Sequence, residues 1–251
     1  MPVSLVRKLE QFAPLSDTEK QIVQEAPMRL RHVEPQHDIV SEGDRPVEVS
    51  LITDGFACRY KILDDGRRQI ISFLIPGDIC DLRALLFRQM DHSVAALNGC
   101  QIAIISHQRL FDIIEKYPRL ALAFWSDSMR NAAIYREAIV NLGRRSAYAR
   151  IAHLLCEQWI RLEVIGMTRD GTFELPITQT DLADATGLSL VHVNRTLQKI
   201  RADGLITFRH NLVTVLDPQR LQAVAQFNPT YLAAAPHTVA ATHPEFLRDV
   251  G

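Results

Sequence analysis

The sequence predicts an α+β chain in three parts: an N-terminal double-stranded, jelly-roll-like β-roll, one long helix suited to dimerisation, and a C-terminal winged helix-turn-helix. Three observations predict it. Gly43, Gly55, Gly66 and Gly77 fall 12, 11 and 11 residues apart, with Gly99 a further 22 on. A stretch without glycine and almost without strand pattern follows, over residues 109–142. Two short helical patterns then meet at Thr186-Gly187-Leu188 and lead into a pair of short strands. The expected organisation is residues 1–118 for the roll with flanking helices, 119–143 for the long helix and hinge, 144–226 for the winged helix-turn-helix, and 227–251 for a tail.

Helical patterns at 3–12 and 17–26 precede the roll, which is expected over 30–106. Apolar or alternating runs at 47–53, 56–63, 69–75 and 101–106 lie between the glycines. Asp54-Gly55 and Asp64-Asp65-Gly66 are hairpin signals, because glycine accepts the positive φ that tight turns need. Strands at such spacing indicate a sandwich, jelly roll or barrel. Pro118 then leaves 119–142 as a helix of about 24 residues, ~36 Å long at 1.5 Å per residue. Leu122, Trp125, Met129, Ala132 and Ile139 recur on it at spacings near three and four, a seam able to pair with a second copy, although Arg136 interrupts it. Asn141-Leu142-Gly143 is expected to end the helix and act as a hinge. Another helix is expected over 147–162, with a turn at Arg169-Asp170-Gly171.

Residues 178–216 hold the sharpest signal. Thr178 is an N-cap with Asp181 at the helix's positive end, and Leu182 and Ala185 are expected to be buried. Gly187 permits the left-handed turn. Ser189 caps a second helix running to Ala202, with Val193, Leu197 and Ile200 inward. Leu190, Val191, Asn194, Arg195 and Gln198 share its opposite face. Strands at 205–208 and 212–216 around Arg209-His210-Asn211 make a wing.

The 251 residues carry 28 basic and 29 acidic side chains, for a net charge of −1, and are 47% hydrophobic, which excludes disorder and a uniformly basic protein. The average hides a patch: Arg195, Lys199, Arg201 and Arg209 face only Asp203 between residues 189 and 213. Phosphate neutralisation needs such a patch. Asn can bond adenine bidentately, Arg guanine, and apolar side chains a thymine methyl, and Asn194, Arg195 and Leu190/Val191 offer these three chemistries. Adjacent apolar residues on a solvated face argue for a partner. The candidate DNA-binding residues are Thr178, Ser189, Leu190, Val191, His192, Asn194, Arg195, Gln198, Lys199, Arg201 and Arg209.

Cys58, Cys80, Cys100 and Cys156 form no CxxC pair, which suits free thiols in a reducing cytoplasm better than disulfides or a zinc site. No apolar run approaches the ~20 residues of a membrane span, and no export signal is expected. No catalytic constellation is legible: His32 and His37 lack the His-x-His of a metal-binding roll enzyme. A cyclic-nucleotide or interaction module without direct DNA readout is the alternative, though it leaves 178–216 unexplained.

In this order the parts resemble the CRP/FNR family of transcription regulators, over roughly residues 15–225 and most specifically in LPITQTDLADATGLSLVHVNRTLQKIRADGLI, residues 175–206. The resemblance implies a homodimer through the long helix, a palindromic operator in double-stranded DNA, and RNA polymerase as a partner. It places Arg195 at a recurrent base-contacting arginine. Val191 stands where many members carry a base-reading glutamate, a departure that puts the family's usual operator core in doubt, since valine cannot accept a bond from cytosine. In the roll, Cys80-Asp81 stands where cyclic-AMP-binding members carry Gly-Glu, and His92-Ser93 where they carry Arg-Ser. With Arg83 these four form the candidate effector pocket. No cofactor is expected. A cyclic nucleotide would miss its bidentate arginine, and no cysteine before Cys58 could ligate an iron–sulfur cluster. Haem is similarly disfavoured. Pro2 and Cys80 lie near the ligand positions of carbon-monoxide sensors, but Leu82 replaces their histidine. Cys80 beside Arg83 leaves redox sensing as an alternative, with a buried core cysteine the simpler reading.

Overall fold

The computed structural model describes residues 3–26 and 29–232, so Pro2 and most of the tail at 227–251 lie outside the described residues. Helices α1 (Val3–Leu9) and α2 (Asp17–Glu25) lead into the roll. Ser16 caps α2 in a capping box with Glu19. The roll consists of two antiparallel sheets. One has the order β1 (Arg29–Val33), β7 (Cys100–Ser106), β3 (Glu48–Asp54); the other β2 (Asp38–Val40), β6 (Ser93–Ala96), β4 (Ala57–Ile62), β5 (Arg68–Leu74). Between the sheets lie Val33, Ile52, Leu74, Val94, Cys100 and Ile102, all buried. Gly55 has φ +83°, and a Cβ there would meet the Gly99 carbonyl oxygen at 2.5 Å, so this turn admits no side chain. Strands β1, β2 and β6 have no counterpart in the sequence-based runs. β1 buries only Val33 and shows no alternation, while β6 is buried on both faces.

Helix α3 (His107–Lys116) fills the interval before Pro118, and α4 (Pro118–Arg144) runs for 27 residues. The expected stop at Gly143 is wrong. Gly143 stays helical, and the chain turns at Arg145, which is extended, into Ser146, the N-cap of α5 (Ala147–Val164). Ser146 breaks the helix by offering its hydroxyl to the Ala149 N–H.

Beyond α5, β8 (Thr168–Arg169) and β9 (Thr172–Glu174) form a hairpin whose Asp170 and Gly171 both have positive φ. Helices α6 (Gln179–Thr186) and α7 (Leu190–Ala202) follow, then β10 (Ile206–Arg209), β11 (Leu212–Val215) and α8 (Pro218–Ala225). These four strands make one sheet, ordered β10-β11-β9-β8. Its core continues without a break into the roll: Phe56, Ile70 and Phe73 join Ile151, Leu155, Trp159, Val193 and Ile200 in one buried cluster. A buried ion network reinforces the junction. Asp78 receives Lys8 at 2.6 Å and Arg161 at 2.7 Å, while Asp127 receives Lys8 at 2.8 Å and Arg130 at 2.7 Å. These cations hold the Asp78 carboxyl well below its ordinary range despite burial. No described helix is long and apolar enough to cross a membrane.

Candidate nucleic-acid interface

Helix α7 begins where Ser189 Oγ accepts the His192 N–H at 3.3 Å. Val193, Thr196, Leu197 and Ile200 turn into the core, which fixes the rotation of the helix. Its outer face therefore carries Leu190, Val191, His192, Arg195, Gln198, Lys199 and Arg201, all exposed, with Val191 at 74%. Arg195 and Arg209 make no side-chain hydrogen bond or ion pair with the described residues, so all five donors of each guanidinium are open to a ligand. The other polar groups are partly engaged. Asn194 is half-buried, donating from Nδ2 to Gln179 Oε1 at 3.2 Å and accepting from Gln198 Nε2 at 2.9 Å. Lys199 lies 3.5 Å from Asp203, and Arg201 donates to the Phe208 carbonyl at 3.4 Å.

Helix α6 props α7 from below. Thr178 Oγ1 accepts the Asp181 N–H at 3.1 Å, and an Asp181 oxygen accepts the Thr178 N–H at 3.0 Å. Thr178, offered as a DNA contact, thus spends its hydroxyl on this box. Leu182 is buried as expected, but Ala185 is only half-buried and Ala183 takes the inner position. Gly187 ends α6 at φ +65°, with Leu142 Cδ2 of α4 at 3.3 Å from where a Cβ would stand. The wing turns through His210 and Asn211, both at positive φ, as a two-residue hairpin requires. Gln179 was not anticipated, since only the packing of α6 on α7 brings it to Asn194.

The orientation of this face is set by the roll. Arg68 of β5 reaches Asp181 at 2.6 Å and Asp184 at 2.7 Å, and Gln69 Nε2 donates to the Asp184 carbonyl at 2.8 Å. Arg150 ties the Thr186, Leu142 and Arg145 carbonyls together at the turn between α4 and α5.

The long-helix seam is open. Trp125 is 64% exposed and Ile139 69%, with Met129 also exposed and Leu122 and Ala132 half-buried. Between this helix and the roll lies a cavity of about 970 Å³ whose wall includes Cys80, Arg83 and His92. Asp81 and Ser93 do not line it, contrary to expectation. Asp81 is buried against the Ser50 N–H at 2.8 Å, and burial pushes its carboxyl up to about 6; Ser93 Oγ accepts the Glu42 N–H at 2.8 Å. His92 holds Asp91 at 2.7 Å, and burial lowers its pKa. Cys80 is buried, and burial raises its thiol well above the ordinary range, the opposite of a reactive cysteine.

Comparison with known proteins matches a Crp-like helix-turn-helix domain at residues 149–224 and a cyclic nucleotide-binding domain at residues 30–117. The nitrogen fixation regulation protein FixK of Bradyrhizobium diazoefficiens is 32% identical over 198 residues, covering 78% of this chain and 82% of the relative. The transcriptional activatory protein AadR of Rhodopseudomonas palustris is 32% identical over 194 residues, covering 76% and 79%. Among solved structures, FixK2 from Bradyrhizobium japonicum superposes with a TM-score of 0.69 at 24% identity, over 78% of this chain and 96% of that one.

Proposed function

Because the chain belongs to the CRP/FNR family of transcription regulators, on its FNR-like branch, we propose that it acts as a homodimer that sets two α7 helices into successive major grooves of a palindromic operator. The observation that carries this reading is the outer face of α7, where a free Arg195 stands beside exposed Leu190 and Val191. Arg195 and Asn194 read bases, with Asn194 exchanging its Gln179 contact for a base edge, and Lys199, Arg201 and Arg209 hold phosphates. The open seam of α4, with Trp125, Met129 and Ile139 exposed, supports pairing of two copies. The roll is the effector domain, and its signal reaches DNA by rotating the winged helix about residues 141–145. Such a protein works in the cytoplasm with RNA polymerase and carries out no catalysis.

The test is retention on duplex DNA as a function of salt, with operator half-sites selected from a random pool. Two-fold symmetric sites about one helical turn (~34 Å) apart, and a steep loss of affinity with salt, are expected. Absence of salt-dependent binding to any selected duplex would overturn the reading in favour of an interaction module.

A further inference from the structure

Two neighbouring residues of α7 are left in opposite states. Arg195 has no side-chain partner among the described residues, whereas Asn194 has one on each polar atom of its amide. Its Nδ2 donates to Gln179 Oε1 at 3.2 Å, and its Oδ1 accepts from Gln198 Nε2 at 2.9 Å. Gln198 stands one turn further along α7, and Gln179 comes from the first turn of α6. Both glutamines are exposed, and Asn194 is half-buried.

The two glutamines thus offer Asn194 one acceptor and one donor. In the major groove adenine offers the same pair, N7 as acceptor and the N6 amino group as donor, and asparagine bonds it bidentately. Guanine offers two acceptors, N7 and O6, so an asparagine turned to it sets Oδ1 against another acceptor. Inside the free protein, Gln179 and Gln198 therefore reproduce the pattern of the base that suits Asn194. Turning to adenine exchanges acceptor for acceptor and donor for donor, and no polar atom of the amide goes unanswered. At a base without that pair, Asn194 keeps its glutamines, so no unpaired amide penalises the mismatch.

We propose that Gln179 is a specificity-determining residue of this interface, an internal competitor for adenine that makes base reading by Asn194 conditional. The inference rests on the reading of α7 as the recognition helix and names what governs one of its base readers. It carries a sign of its own. Truncating a residue that holds DNA weakens binding, whereas truncating a competitor strengthens it. Freed of Gln179, Asn194 gives up less on turning to adenine. Duplexes with another base are unaffected, because free and bound protein lose the same contact. Gln179 lies outside the reciprocal bonds of Thr178 and Asp181 that start α6, so its removal leaves the cap intact.

The experiment measures binding of the full-length protein to a selected operator and to duplexes changed at single base pairs, by fluorescence anisotropy. Asn194→Ala locates the adenine that Asn194 reads, as the position where its preference flattens. There Gln179→Ala is expected to tighten binding of the adenine duplex about two- to tenfold, the reach of one net hydrogen bond, and to leave duplexes with other bases unchanged. Gln179→Met, which keeps the length without the amide, is expected to do the same. In an Asn194→Ala background neither substitution should have an effect. Weaker binding of the adenine duplex by Gln179→Ala would overturn the proposal and make Gln179 a support for Asn194. A uniform change across all duplexes would refute it in favour of a backbone contact. Unchanged affinity throughout, or no adenine whose preference depends on Asn194, would also refute it. The unmodified chain separates this inference from the regulator reading. Absence of salt-dependent binding to any selected duplex removes both, whereas binding without the adenine-specific gain removes only the role of Gln179.

Discussion

Replacing Arg68 with alanine removes the ionic contacts through which the roll holds α6. The guanidinium is about one-fifth exposed, and its partners Asp181 and Asp184 are 3% and 23% exposed, so the cluster lies between a surface pair and a buried one. Surface pairs contribute about 0–1 kcal/mol, and removing one partner of a buried pair costs about 3–5 kcal/mol. Asp181 retains its bonds to Thr178, so it is not left wholly unsatisfied. A loss of about 2 kcal/mol is therefore expected, or roughly 4–8 °C in Tm at ~2–4 °C per kcal/mol for a chain of this size. Calorimetry of Arg68→Ala, Asp184→Ala and the double variant gives the coupling, which should be about 1 kcal/mol. Hydrogen exchange should quicken in α6 and leave β3 and β7 unchanged. A coupling near zero, or exchange unchanged in α6, would refute the claim that Arg68 fixes the DNA-reading face to the roll.

Further outcomes follow from the same contacts. Ile139→Asp places a charge on the open seam of α4, where Ile139 is 69% exposed in one chain, and should shift the proposed dimer to monomer in sedimentation, with the fall in Tm growing with protein concentration as lost association requires. Gly187→Ala forces a side chain into positive φ beside Leu142 and should cost about 1–3 kcal/mol in denaturant unfolding. His153 is buried against Phe227 and Tyr231 with Asn141 donating to its Nδ1, and Glu137, Arg145 and Glu157 are the charged groups around it. Burial and Arg145 push its pKa down to about 3. Its native form thus binds fewer protons than the unfolded chain, so its contribution is complete above the unfolded value of ~6.5 and is lost as pH falls toward 3. Between pH 7 and pH 5 the parent should lose more stability than His153→Gln, by about 2 kcal/mol; parallel curves would contradict this.

The parts of the fold announced by backbone demands were legible in the sequence. The Asp-Gly and Asn turns, Pro118, and the Thr178, Ser189 and Gly187 caps each require a residue type whose reason is local. Strand β1 was hidden because its residues 29–32 face solvent, and α4 was cut short because a helical glycine and a capping glycine look alike without the Ser146 cap beyond it. The outer face of α7 was legible from periodicity, whereas the engagement of Asn194 by Gln179 was not, since it depends on how two helices pack. Nothing along the chain singled out Arg68, and Asp181 read only as an acid at a helix start. Their importance arises from charges brought together across more than 100 residues, which leaves no pattern along the chain.

The central claim is that a free Arg195 on α7 reads a base. Fluorescence anisotropy with a selected operator and with duplexes changed at single base pairs tests it directly. Arg195→Ala should weaken operator binding by about 1–3 kcal/mol and flatten the preference at one base pair per half-site, with preference elsewhere retained. A uniform loss across all duplexes, with a salt slope reduced by about one, would show instead that Arg195 holds a phosphate, and would contradict the account.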